Sequence, residues 1–213
     1  MMFSPNKAIG SIVYRTREAL NNNISFKEAL HGYLYSPNCL VNDNFLLWHY
    51  PGTQNEISTA LLKIGEHFNG SKLKFPALLN FQTIRQDKSG NEIKLHYNLA
   101  IAGVVKSTWA TEDREVELFD LLLRPIYEEF INQVKQSGWF NVDYGVPPHS
   151  YYEVFTTGNN YSELQNVYGD YIDAIELHDL QLTVKQNLCD RDLKKISNEN
   201  MLVTSNINQI LNS

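Results

Sequence analysis

Between Glu92 and Val105 the chain alternates strictly: Ile93, Leu95, Tyr97, Leu99 and Ile101 are separated by Lys94, His96, Asn98 and Ala100. Successive side chains of a strand point to opposite faces, so this period of two specifies a strand with one face buried. Upstream, Phe75 to Ile84 reads as a second strand with Pro76 at its start. Asp87-Lys88-Ser89-Gly90-Asn91 reads as the polar turn between them, with Gly90 free to take positive φ. Together they predict an antiparallel hairpin. A hairpin cannot bury its apolar face alone, so the rest of the chain has to supply a covering layer.

Helical patterns supply it. Ala8, Ile9, Ile12, Val13, Ala19 and Leu20 fit one face of a helix over 1–21, with Asn21-Asn22-Asn23 as its stop. Ser25 and Glu28 fit a capping box for a short helix through Leu34. Phe45 to Tyr50 reads as a strand bounded by Asn44 and Pro51-Gly52. A helix over 53–69 carries Ile57, Leu61, Leu62, Ile64 and Phe68, with Gly70 just past its end. The strongest helical pattern is 112–136, with Thr111 as N-cap, acids in its first turn and Gly138 closing it. Pro125 lies inside it, which predicts a kink near Leu121 to Pro125 or two helices end to end. Tyr171 to Val184 is a last strand whose apolar parity slips by one between Leu177 and Leu180, predicting a β-bulge near His178-Asp179.

Two stretches fit no regular element. Residues 138–171 read as a long loop holding nine aromatics, among them Trp139, Phe140, Tyr144, Tyr151, Tyr152 and Phe155. Such rings either pack beneath the loop as a satellite core or form a contact with another subunit. Residues 186–213 are polar and Asn-rich, with one weak apolar group of Met201, Leu202, Val203, Ile207, Ile210 and Leu211. This tail either frays or docks on a neighbour. The expected organisation is one α+β domain over 1–185, a mainly antiparallel β-sheet packed on one side by α-helices, with 186–213 as a C-terminal extension.

Composition excludes several functions. The 213 residues carry 18 Lys+Arg against 24 Asp+Glu, a formal charge of −6. Tight DNA binding needs bases to neutralise phosphates, and no basic run here exceeds Lys194-Lys195. No apolar stretch is long enough for a membrane span, and Met-Met-Phe-Ser-Pro-Asn-Lys has no secretory h-region. Cys39 and Cys189 lie far apart and read as reduced thiols. The common hydrolase, nucleotide-binding and zinc-protease motifs are missing. Asp87 with Glu92-Ile93-Lys94 faintly suggests a metal-dependent nuclease, but Asp87 reads as part of the turn. Asp170, Asp173, Glu176, His178 and Asp179 form an acidic cluster that a strand would split between faces. No catalytic, cofactor or metal residue is expected.

One succession is familiar. It runs from Lys74-Phe75-Pro76-Ala77-Leu78-Leu79-Asn80 through the Lys94–Ile101 strand to Thr108-Trp109-Ala110-Thr111-Glu112-Asp113-Arg114. It continues through the helix ending Leu123-Arg124-Pro125-Ile126-Tyr127-Glu128-Glu129-Phe130 and closes at Gly169-Asp170-Tyr171-Ile172-Asp173-Ala174-Ile175-Glu176-Leu177. Over roughly residues 75–182 it resembles the tail-terminator type of neck and tail-completion proteins of tailed phages and Bacteroidetes prophages. The resemblance implies a structural virion protein without enzymatic activity, assembled in the host cytoplasm. Such proteins form a ring of copies, usually six, that caps the tail tube and meets the head-connector proteins. DNA passes through the ring, and an acidic lumen would repel its phosphates. Ring closure by head-to-tail contacts needs two different adhesive surfaces. The candidates are Trp109, then Trp139, Phe140, Tyr144, Tyr151, Tyr152 and Phe155 of the aromatic stretch, then Leu202, Ile207 and Ile210 of the tail. The rivals are another head–tail adaptor ring or tail-associated protein and, from a different class, a small metal-dependent hydrolase or nuclease.

Overall fold

The computed structural model describes residues 3–31, 40–41, 43–66, 74–106, 108–142, 145–155 and 171–211, with residues 41 and 203–211 as backbone alone. Its elements are α1 (Pro5–Asn22), α2 (Ile24–His31), β1 (Leu40–Val41), β2 (Asn44–Phe45), β3 (Trp48–Gly52), α3 (Gln54–Glu66), β4 (Ala77–Ser89) and β5 (Glu92–Val104). There follow α4 (Thr111–Arg114), a π-helical stretch (Glu115–Leu123), α5 (Arg124–Gln136), β6 (Phe140–Asn141), β7 (Ser150–Val154), β8 (Ile172–Val184) and α6 (Asp190–Leu211).

The hairpin is the centre. β4 and β5 pair antiparallel from Ala77↔Ala102 to Ser89↔Glu92, with Gly90 at φ 57° in the turn. β4 therefore runs five residues past the expected end at Ile84, and Asp87 belongs to the strand opposite Lys94. β8 pairs antiparallel with the free side of β5, and β3 lies parallel to β4, giving the order β3-β4-β5-β8-β6. β7 also pairs with β8, on the same edge as β6. The expected strand over 45–50 is divided: Phe45 pairs back to Leu40, and only Trp48–Gly52 enters the main sheet. Pro51 costs little there because β3 is an edge strand.

The parity slip in β8 is a bulge. His178 and Asp179 together oppose Asn98, between the pairs Leu99↔Leu177 and Tyr97↔Leu180. Asp179 takes φ 54°, and its N–H donates to Asn98 Oδ1 at 3.1 Å. Leu177, Leu180 and Leu182 are thereby all buried in one core.

That core lies between the sheet and α1, the π-helical stretch and α5. It joins Ile9, Ile12 and Val13 to Tyr97, Ile101 and Ile175, and to Phe119, Ile126 and Phe130. The Arg124 N–H bonds the Phe119 carbonyl five residues back, the hydrogen bond of a π-helix. The helix so restarts at Arg124, and Pro125 falls in its first turn, where a missing N–H costs nothing. The interior proline becomes a junction between two segments placed end to end. A smaller core lies on the opposite face. There α3 covers the β3–β4 end through Ile57, Leu61 and Ile64 against Trp48, Tyr50, Ala77 and Leu79. Thr53 and Glu56 start α3 with reciprocal bonds: Thr53 N–H donates to Glu56 Oε2 at 2.7 Å, and Glu56 N–H to Thr53 Oγ1 at 3.3 Å.

Local expectations shift at several ends. Asn23, not Ser25, accepts the Phe26 N–H at 3.1 Å and so caps α2. Ala110, not Thr111, occupies the N-cap of α4, and its N–H donates to Asp113 Oδ2 at 3.0 Å. The stretch 138–171 is not one loop, since it contributes β6 and β7 to the sheet. In the C-terminal extension, Asp190–Leu211 form a helix. α6 lies against α1, with Ile196 buried and Glu199 Oε2 accepting from Arg15 Nε at 2.9 Å and from Ser11 Oγ.

Candidate functional site

The expected interface residues divide sharply by burial. Trp139 and Phe140 are each 2% exposed and belong to the main core. The Arg15 guanidinium lies 4.1 Å from the Trp139 ring centroid, and Phe140 meets Phe3 edge-on at 6.3 Å. They are therefore corrected from candidate contacts to packing residues. Phe155 is half-buried and stacks on Phe119 at 4.6 Å. Trp109 is half-buried against the core, with Lys106 Nζ 5.7 Å from its ring. Tyr151, Tyr152 and Leu202 are 37%, 52% and 48% exposed, and Met201 beside Leu202 is 61% exposed. Tyr144 and the side chains of Ile207 and Ile210 lie outside the described residues.

The exposed tyrosines sit on β7, whose two faces do different work. Tyr151, Glu153 and Phe155 turn toward the helices. Glu153 receives Arg124 through both carboxylate oxygens, at 2.8 Å each, and Arg124 also pairs with Glu115 and Asp120. Tyr151 donates to Glu153 Oε1 at 2.5 Å and meets Tyr127 edge-on at 5.0 Å. Tyr127 in turn bonds His149 Nε2 at 3.1 Å. Hydrogen bonding to Arg124 holds the Glu153 carboxyl below the usual range. Burial and the bond to Glu153 push the Tyr151 hydroxyl up. Sequence reading missed this tether, since its only local signal is the four-residue spacing of Asp120 and Arg124.

Tyr152 and Val154 turn to the other face. Tyr152 meets His178 at 5.1 Å, and His178 bonds Glu176 at 2.8 Å. Beside them runs an open groove of about 730 Å³ between α3 and β7. Ala100, Ala102 and Ala174 line it, with Phe81 and Val154 beside them and Gln54, Asn98 and His178 as polar neighbours. Ala102 opposite Ala174, with Ala100 two residues along β5, leaves space that larger side chains would fill.

The acidic residues do not converge. Asp173 is fully buried and faces Arg114 at 3.5 Å, while Glu176 and His178 pair on the opposite face. Asp170 lies outside the described residues. Asp179 and Asp87 flank His96 instead, at 2.5 Å from Nδ1 and 3.0 Å from Nε2. The bond to His96 lowers the Asp179 carboxyl below its usual range. Among the described residues no group of three His, Cys, Asp or Glu side chains is placed to hold a metal ion. His49 is buried with neither ring nitrogen paired, and burial lowers its pKa to about 3. Among the described residues no helix is long and apolar enough to cross a membrane.

No family model, curated protein or solved structure matches the chain.

Proposed function

We propose that the chain is a structural ring protein of a tailed-phage neck, of the tail-terminator type, which caps the tail tube and joins it to the head connector. The observation that carries this reading is a pair of unlike apolar surfaces among those left outside the two cores. One is Tyr152 on the groove side of β7, and the other is Met201 and Leu202 on α6. Two unlike patches on one protomer suit head-to-tail association, which closes into rings. The resemblance over 75–182 supports the same reading. Residues 112–129 hold seven acids against two bases, so most of the net charge of −6 lies on one helical run. A chain of this charge repels phosphate and suits a conduit for DNA.

The test is light scattering with negative-stain microscopy on the purified chain, alone and with assembled tail tubes. The account expects closed rings, free or seated on tube ends. A monomer in both conditions contradicts it. Mg²⁺-dependent nuclease activity abolished by Glu92→Ala would install the hydrolase reading instead.

A further inference from the structure

Two surface features outside the β7 region are complementary to each other. The first is a groove of about 540 Å³ between α2 and the π-helix–α5 junction. Leu20, Phe26 and Leu121 contribute apolar lining, Glu128, Glu129 and the Arg124-paired Asp120 contribute acids, and among the described residues no Lys or Arg lines it. The second is the outer face of α6. Arg191, Lys194, Lys195, Asn198, Met201 and Leu202 follow helical spacing, so they share one stripe. The stripe holding Ile196 is the one that docks on α1, and Glu199 at its edge bonds Arg15 and lies 3.9 Å from Lys195 Nζ. Arg191, Lys194 and Lys195 are exposed, as are Met201 and Leu202. An exposed helical face that is basic at one end and apolar at the other is the counterpart of an apolar groove with acidic walls.

We infer that the outer stripe of α6 in one copy docks in the α2–α5 groove of the next. This contact rests on the ring reading above and gives the α6 surface its counterpart on the next copy. Within one protomer the basic end of the stripe precedes Ser197, which bonds Lys7 near the start of α1, away from the groove. α6 bonds α1 at Ser11 and Arg15, whereas the groove takes Leu20 at the far end of α1 and Asn23 beyond it. The contact is therefore head-to-tail. Met201 and Leu202 enter the apolar part, and Lys194 and Lys195 face Glu128 and Glu129. Partly screened ion pairs at such a rim set register and association rate, so assembly should weaken as salt rises.

The test is a charge swap on the full chain, read by sedimentation velocity and microscopy. Glu128→Lys/Glu129→Lys and Lys194→Glu/Lys195→Glu should each raise the concentration needed for assembly by roughly tenfold or more. The quadruple variant should recover most of it. Met201→Ser/Leu202→Ser should weaken assembly without changing the melting temperature. If the native chain assembles and the swaps do not affect it, or weaken it without rescue, this contact is wrong and the groove serves another partner. If the native chain never assembles, the ring reading itself fails.

Discussion

On the helix side, β5 presents Leu95, Tyr97, Leu99 and Ile101, each 1% exposed or less. On its other side the same strand presents His96, Asn98, Ala100 and Ala102, and β8 adds Ala174. Large branched and aromatic side chains fill the first face against α1, the π-helical stretch and α5. The second face is filled only where α3 reaches it, and alanines leave a groove elsewhere. Dense packing of large side chains is what stabilises a domain, because each lost methylene leaves a void. The helix-covered face therefore carries the protomer's stability. The open face leaves its alanine-lined groove for contacts with other molecules, and the outer surface of the helix layer carries the α2–α5 groove and the outer stripe of α6.

The largest expected effect breaks the comparison or makes it. Phe130→Ala, on the filled face, should cost about 3–5 kcal/mol by urea unfolding. Ala174→Val, on the groove floor and 9% exposed, should change stability by about 1 kcal/mol at most. Equal losses from the two would mean that both faces are equally packed. Gly10→Ala tests how α6 is attached to the filled side. An added Cβ would stand 1.9 Å from Asn200 Oδ1 and 2.9 Å from His49 Nδ1, so the Asn200 side chain has to leave its place against α1 and the buried His49 ring has to give. The loss should be about 1–3 kcal/mol despite the better helix propensity of alanine, with faster amide exchange confined to α6 and its contacts.

Smaller effects sharpen the contrast at β7, which is tied to the helices by charge rather than by volume. Arg124→Met should lower stability by about 1 kcal/mol and speed amide exchange across Ser150–Val154 more than in β5. The pH dependence follows from Glu153, whose folded pKa is depressed. Its contribution is present above the ordinary carboxylate pKa and is lost as pH falls through the lowered value. Protection of β7 should thus weaken on acidification below about pH 4 in the native chain, with this component missing from Arg124→Met.

Much of the fold is readable from residue periodicity. The alternation over 92–105 places β5, Gly90 marks the turn, and the slip between Leu177 and Leu180 locates the bulge at Asp179. What escaped reading has physical causes. Ser150-Tyr151-Tyr152-Glu153-Val154 has no apolar alternation because each face of β7 mixes a polar group with a ring. α6 is held largely by Ser11, Arg15 and Glu199, so its apolar stripe is too thin to announce a docked helix. The helix caps moved by one or two residues, since several neighbouring polar side chains can serve equally. Aromatic density marked the stretch after Gly138 but could not sort its rings. Trp139 is buried with Arg15 of the distant α1 over its ring, whereas Tyr152 meets the exposed His178.

The central claim is that a protomer closed on one face assembles through unlike surfaces left outside its cores. Mass photometry of the native chain across a concentration series tests it most directly. The account predicts a single closed species of several copies that gives way to monomer on dilution. A monomer at every concentration, with or without tail tubes, would contradict it.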